Sequence, residues 1–187
     1  MRRIMFDTET LGTSSSSVIL SIAAVEFDDK NLGRRFHQRI SIDSCLKHGL
    51  TVSGNTIEWW MGQSAEARKI FCIPGLPLDR VLIDLATWLD WSQVDEVWAN
   101  GSDFDGPIIA NAYRAIGAGN PPWAYFKLRD YRTIRKMYAK DVVDKATVKP
   151  LIEHDALEDA IAQALTLQAL MGSNLPLRWV AWAAEAS

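Results

Sequence analysis

With 187 residues, 48% of them hydrophobic, the chain is sized for one domain with a substantial core and is too apolar to be disordered as a whole. Its net charge of −3 and pI of about 5.6 exclude a polycation that grips duplex DNA by bulk charge. They do not exclude an enzyme of nucleic acids, because carboxylates loaded with divalent ions become locally positive.

The first expected element is a strand that ends in acids, Arg2-Arg3-Ile4-Met5-Phe6-Asp7-Thr8-Glu9-Thr10. Side chains at i and i+2 of a strand share a face, so Asp7 and Glu9 stand side by side. Carboxylates that close repel unless a cation lies between them, and hard oxygen ligands suit Mg²⁺ or Mn²⁺ rather than zinc. A turn or a solvated edge would also explain the pair, so its meaning depends on what the rest of the chain supplies. Leu11 to Ser17 reads as a turn-forming loop, Val18 to Phe27 as a buried strand, Asp28 to Asn31 as a hairpin turn and Arg35 to Ile42 as a third strand. Together they make an antiparallel meander.

The later chain alternates. Helices are expected over Thr56 to Ile70, Leu78 to Trp91, Ile108 to Ile116, Tyr131 to Tyr138 and Ala156 to Met171. A short strand falls at Glu96 to Ala99 and a last short helix at Leu177 to Ala184. Val81, Leu82, Leu85, Trp88 and Leu89 form one apolar helix face; Leu157, Ile161, Ala164, Leu165 and Gln168 form another. The pattern is α/β, a mixed sheet with helices on both faces. It predicts one domain over 1–187, its C-terminal helix at about 175–187 packing on the domain or at a dimer interface. Cys45 and Cys72 make no CxxC and read as reduced thiols of a cytoplasmic protein. No run reaches transmembrane length, and Asp7 interrupts the N-terminal apolar run too early for a signal peptide.

Two further segments carry acids. In Val97-Trp98-Ala99-Asn100-Gly101-Ser102-Asp103-Phe104-Asp105-Gly106-Pro107, a strand runs through a polar loop into a helix. Asp105 is either a helix N-cap, with Pro107 in the first turn, or a metal ligand fixed by that position; Asp103 competes for the second role. In Glu153-His154-Asp155-Ala156-Leu157-Glu158-Asp159, His154 and Asp159 are five residues apart. On a regular helix that leaves them about 140° apart, so they converge only if His154 lies in the loop before the helix. Asp155 and Asp159 do share a helical face, which would equally serve as a solvated acidic surface. His37 and His48 have no supporting pattern.

Taken in order, Asp7-x-Glu9, Phe104-Asp105 opening a helix and His154-x₄-Asp159 resemble the DEDD superfamily of 3′–5′ exonucleases, histidine subtype (DEDDh). The likeness spans residues 4 to 159. Asn55-Thr56-Ile57-Glu58-Trp59-Trp60, Trp98-Ala99-Asn100-Gly101 and Arg129-Asp130-Tyr131-Arg132-Thr133-Ile134 look more narrowly like phage and prophage exonucleases and the RNase AS-like bacterial 3′–5′ exoribonucleases. The loop before Phe104 is one residue longer than in proofreading exonucleases and carries the extra Asp103; the Phe-Asp pair favours Asp105 as the third carboxylate.

The resemblance implies an RNase H-like three-layer fold with a mixed five-stranded sheet. It implies a metal-dependent 3′–5′ exonuclease that releases 5′-mononucleotides from single-stranded RNA or DNA. Two Mg²⁺ or Mn²⁺ ions would be held by Asp7, Glu9, Asp105 and Asp159, with His154 as general base; imidazole, with an ordinary pKa of about 6.5, suits that task. Thr10, Leu11 and Gly12 would meet the terminal nucleotide, with Trp60, Asn100 and Phe104 as further substrate-binding candidates. Relatives suggest a homodimer and a bacterial, phage or prophage setting.

Trp59 and Trp60 could stack on bases or pack in the core; being adjacent on a helix, at most one faces the substrate. Lys127, Arg129, Arg132, Arg135, Lys136 and Lys140 form the dense basic stretch, either a phosphate path or a solvated helix face. Two other classes compete. One is a non-catalytic nucleic-acid-binding module of the same fold, against which all five expected residues argue. The other is a haloacid-dehalogenase-like phosphatase with Asp7 as nucleophile; it prefers Asp where this chain has Glu9, and wants its late acidic pair after a strand.

Overall fold

In a computed structural model that describes residues 1–172, one mixed sheet is covered by helices on both faces. Its strands are β1 (Arg3–Thr10), β2 (Ile19–Phe27), β3 (Leu32–Arg39), β4 (Glu96–Ala99) and β5 (Leu128–Asp130), in the order β3-β2-β1-β4-β5. The first three pair antiparallel, the expected meander, while β4 and β5 add parallel to β1. The ends of β1, β4 and β5 therefore lie at one edge of the sheet, where loops and helix starts gather.

The helices are α1 (Ile42–Lys47), α2 (Gly54–Met61), α3 (Leu78–Trp88), α4 (Asp105–Ala115), α5 (Tyr131–Met137), α6 (Lys140–Ala146) and α7 (Ala156–Gly172). Alternation along β1 divides the core. Ile4 and Phe6 face a large cluster with Leu82, Leu85, Ile108, Ile109, Trp91 and Trp123 under α3 and α4. Met5 faces a smaller one with Ala23, Trp98, Tyr131, Ala156, Ala160 and Ala164 under α5 and α7. Asp7 and Glu9 continue the Met5 row and so lie on the α7 side.

Three expectations are corrected. The helix expected over Thr56 to Ile70 stops at Met61: Gly62 closes α2, and Ser64 accepts the Ala67 amide at 3.1 Å to start a separate 3₁₀ turn, Ala67–Phe71. The strand expected over Arg35 to Ile42 begins earlier, at Leu32, and yields to α1 where the Ser41 hydroxyl accepts the Ser44 amide at 3.3 Å. On α7 the innermost stripe is alanine, with Ala156, Ala160 and Ala164 buried, while Leu157 and Ile161 only flank the core. A helix lying this close to a sheet needs small side chains at the line of contact. The expected helix at Leu177 to Ala184 lies outside the described residues. Both cysteines are free thiols, Cys45 buried and Cys72 exposed. No described helix is long and apolar enough to cross a membrane.

Candidate active site

Four carboxylates meet at the C-terminal end of β1, delivered by three elements. β1 itself brings Asp7, half-buried, and Glu9, 8% exposed. A register shift between Glu9 and Thr10 bends the strand there, as bulges beside functional sites often do. The α4 start brings Asp105, 3% exposed, whose Oδ1 accepts the Thr8 hydroxyl at 2.7 Å. The N-cap of α4 is Phe104, so Asp105 is the first helical residue and not the cap itself. α7 brings Asp159 and, one turn on, Gln163, whose amide donates to Asp7 Oδ1 at 2.8 Å. Asp103 is exposed and lies beside Gly101, close to Arg132.

The electrostatics of the four are unusual. Burial, reinforced by the charges of Asp105, Glu9 and Asp159, holds the Asp7 carboxyl well above the usual range, against the opposing hydrogen bond from Gln163. Burial, then Asp159, Asp105 and Asp155, pushes Glu9 up to about 8. Burial also raises Asp105 and Asp159, each to about 6; Thr8 and the nearby Arg132 restrain the first, the His154 amide and imidazole the second. None of the four forms an ion pair with Lys or Arg among the described residues. A largely buried acidic set answered by amides, a hydroxyl, the His154 imidazole and one guanidinium that forms no ion pair with it fits hard divalent cations.

His154 reaches this cluster from outside α7. Asp155 accepts the Leu157 and Glu158 amides at 3.0 and 3.1 Å, so it caps the helix and leaves His154 in the preceding loop. That is the condition under which the histidine and Asp159 converge. His154 takes φ +63°, the left-handed region, and its backbone amide donates to Asp159 Oδ2 at 3.1 Å. One ligand atom each from Glu9, His154 and Asp159 all lie within 4.8 Å of one another.

Beside the cluster opens a cleft of about 550 Å³, lined by Glu9, Thr10, Gly12, Asn55, Trp59, Trp60 and Phe104 among others. The two indoles diverge as adjacent helical residues must. Trp60 is 2% exposed and donates to the Thr10 carbonyl at 2.9 Å, tying α2 to the end of β1. Trp59 is 46% exposed, and its ring meets the His154 ring edge-on at 4.8 Å.

The other substrate-binding candidates divide. Thr10 and Gly12 line the cleft, although the Thr10 hydroxyl is committed to the Gly12 carbonyl at 2.7 Å. Leu11 is core: its amide donates to Val18 and its carbonyl accepts from Ser53. Asn100 does not line the cleft, and its carbonyl accepts Arg132 Nη2 at 2.9 Å. Thr8 and Gln163 were missed. Gln163 stands four residues after Asp159, so helical spacing alone puts it on the same face.

Comparison with known proteins adds four findings. Residues 2–171 match the model of the 3′–5′ exoribonuclease Rv2179c-like domain. An exodeoxyribonuclease of Enterobacteria phage T4 is 24% identical over 199 aligned positions, which cover 88% of this chain and 86% of that protein. Among solved structures, the nuclease domain of 3′hExo, a DEDDh family member bound to rAMP, superposes with a TM-score of 0.62 at 12% identity, covering 95% of this chain and 94% of that one. E. coli Exonuclease I in complex with a dA13 oligonucleotide gives 0.60 at 12% identity, covering 92% of this chain and 41% of the longer enzyme.

Proposed function

The chain belongs to the family of the 3′–5′ exoribonuclease Rv2179c-like domain, and from that premise we propose that it shortens single-stranded nucleic acid from the 3′ end, releasing 5′-mononucleotides. It is a 3′–5′ exonuclease with the RNase H-like fold that its DEDDh motifs imply. The observation that carries the mechanistic reading is the cluster of four carboxylates with no Lys or Arg ion pair among the described residues. Asp7, Glu9, Asp105 and Asp159 would hold two Mg²⁺ or Mn²⁺ ions, which neutralise phosphate charge and make water a stronger nucleophile when bound.

The chain's own groups do the rest. The terminal nucleoside enters the cleft between Thr10, Gly12, Phe104 and the exposed face of Trp59, where stacking holds the base. A water attacks phosphorus, the bond to the 3′ oxygen of the preceding nucleotide breaks, His154 takes the proton of the water, and the departing 3′ oxygen takes a proton from solvent. The shortened strand leaves with a 3′ hydroxyl and the nucleotide leaves as a 5′ monophosphate. Trp59 meets the His154 ring and the Asp159 carboxylate accepts its backbone amide, so the residue is held at two points.

RNA and DNA are both carried in this proposal, because the family model describes an exoribonuclease and the phage relative is an exodeoxyribonuclease. A matched assay tests it: one 5′-labelled single-stranded RNA and its DNA equivalent, with Mg²⁺, Mn²⁺ or chelator. Stepwise 3′ shortening that chelator abolishes is expected, and His154→Ala should lower kcat about 10²-fold or more. Chelator-resistant cleavage, or products other than 5′-mononucleotides, would sink the reading.

A further inference from the structure

The fold divides the basic stretch from Lys127 to Lys140 in two. Lys127 donates to the Val94 carbonyl at 2.5 Å, Arg129 pairs with Glu96 at 3.4 Å, and Lys140 pairs with Asp144 at 2.5 Å. Arg132, Arg135 and Lys136 belong to no ion pair among the described residues. Arg132 and Lys136 are exposed. The Arg135 guanidinium lies 5.6 Å from the Tyr131 ring centroid, and its buried Nε has no hydrogen-bond partner. The three stand at i, i+3 and i+4 on α5, one face of like charge with no ion pair among the described residues to offset its repulsion.

That face adjoins the carboxylate cluster. α5 begins where β5 ends, at the same sheet edge as the acid-bearing end of β1. Asp130, which caps α5 by accepting the Thr133 amide at 3.0 Å, also accepts the Ser102 amide at 3.3 Å. Arg132 holds the Asn100 carbonyl, and a Cβ on Gly101, at φ +114°, would stand 3.1 Å from its Nη2. The loop that leads into Asp105 is therefore tied to α5 at two points and runs close beneath a guanidinium with most of its five donors unused.

We infer that this face of α5 is the track for the phosphate backbone upstream of the scissile bond, so that a single strand runs from the Trp59 cleft over the Asn100 to Phe104 loop onto Arg132, Arg135 and Lys136. The inference rests on the exonuclease reading above. With a net charge of −3, the chain has no bulk attraction for a polyanion. Its hold on a strand must come from a local set of cations that the fold leaves outside its ion pairs, and this set lies beside the site.

The test compares a dinucleotide, which ends before α5, with a 5′-labelled decanucleotide, which reaches it. Wild type should process the decanucleotide with kcat/KM about tenfold higher, the gain lying in KM. Lys136→Glu, at an exposed position that folding tolerates, and the double variant Arg135→Gln/Lys136→Gln should lose most of that ratio through KM of the longer strand. The double variant should also flatten the log–log salt dependence of decanucleotide binding by roughly 0.7 for each cation removed. A wild-type length ratio and salt slope in both variants overturn the track, as does an equal loss on both substrates. If wild type cleaves neither strand, the exonuclease reading has failed. Fluorescence anisotropy with the labelled decanucleotide in chelator then still decides the track, which equal affinities for wild type and variants would overturn.

Discussion

The two ends of β1 treat charge in opposite ways. At its start, Arg3 is 5% exposed and answered in full: it bonds Glu96 at 3.1 Å and Asp29 at 2.7 Å. Glu96 also accepts the Trp98 indole at 3.1 Å and pairs with Arg129. Arg2 pairs with Glu26 at 2.6 Å. At the other end, Asp7 and Glu9 are joined by two more acids and by no paired cation among the described residues. One strand thus carries a closed ionic network and an open one. The contrast shows that unpaired acids are not forced by the strand's burial. The open end is incomplete without a cation from outside the chain.

The sharpest way to use this contrast is Asp7→Asn. It should lower kcat at least about a thousandfold, measured on a labelled strand with Mg²⁺. In chelator near pH 8 the same change should raise Tm, because it removes one ionisable acid from a repelling set. Arg3→Met tests the closed end and should act with the other sign. It strands Glu96 without its main partner and should cost roughly 2–4 kcal/mol by urea denaturation, with any activity change following stability. A destabilising Asp7→Asn in chelator would break the comparison.

A pH titration comes next. Glu9 is raised from an ordinary 4.5 to about 8, and the other three acids are raised too. A group whose folded pKa is raised contributes stability that is complete below its unfolded value and lost as pH climbs through the folded one. The chelated protein should therefore lose Tm between about pH 4.5 and 8, and added Mn²⁺ should restore more Tm near pH 8 than near pH 5. A Tm gain from metal that is the same at both ends of the window would count against the open network. The smallest effect is expected from Gln163→Leu. It removes one amide from Asp7 and should lower kcat by roughly tenfold or less, in line with an orienting contact beside a ligand.

Much of this was legible because it rests on periodicity. The i, i+2 rule put Asp7 and Glu9 on one face, and the angular mismatch of His154 and Asp159 required a histidine ahead of the helix. The amphipathic face of α3 and the meander also follow from pattern. α1, β5 and α6 did not: α1 and α6 bury Cys45 and Val143 alone and β5 has no fully buried residue, so none of them displays an apolar period. The helix after Thr56 is shorter than its apolar residues suggest because Gly62 closes it and Ser64 starts a new turn. The α7 face came out rotated because hydrophobicity ranks Leu157 above Ala156, whereas the distance of approach selects for size. Leu11 resembled a substrate contact by its place after the first motif, but its amide and carbonyl are both used within the fold.

The site is assembled from the far ends of the described chain. Gln163 and Asp7 stand 156 positions apart, and Thr8 and Asp105 stand 97 apart. Contacts of such separation bring distant stretches of chain together at a cost in loop-closure entropy. A chain still emerging from the ribosome holds β1 without α7, and so has neither Asp159 nor His154 beside its first two acids. The four-carboxylate cluster is therefore complete only when α7 has joined the sheet, and it arrives in one step with the finished domain.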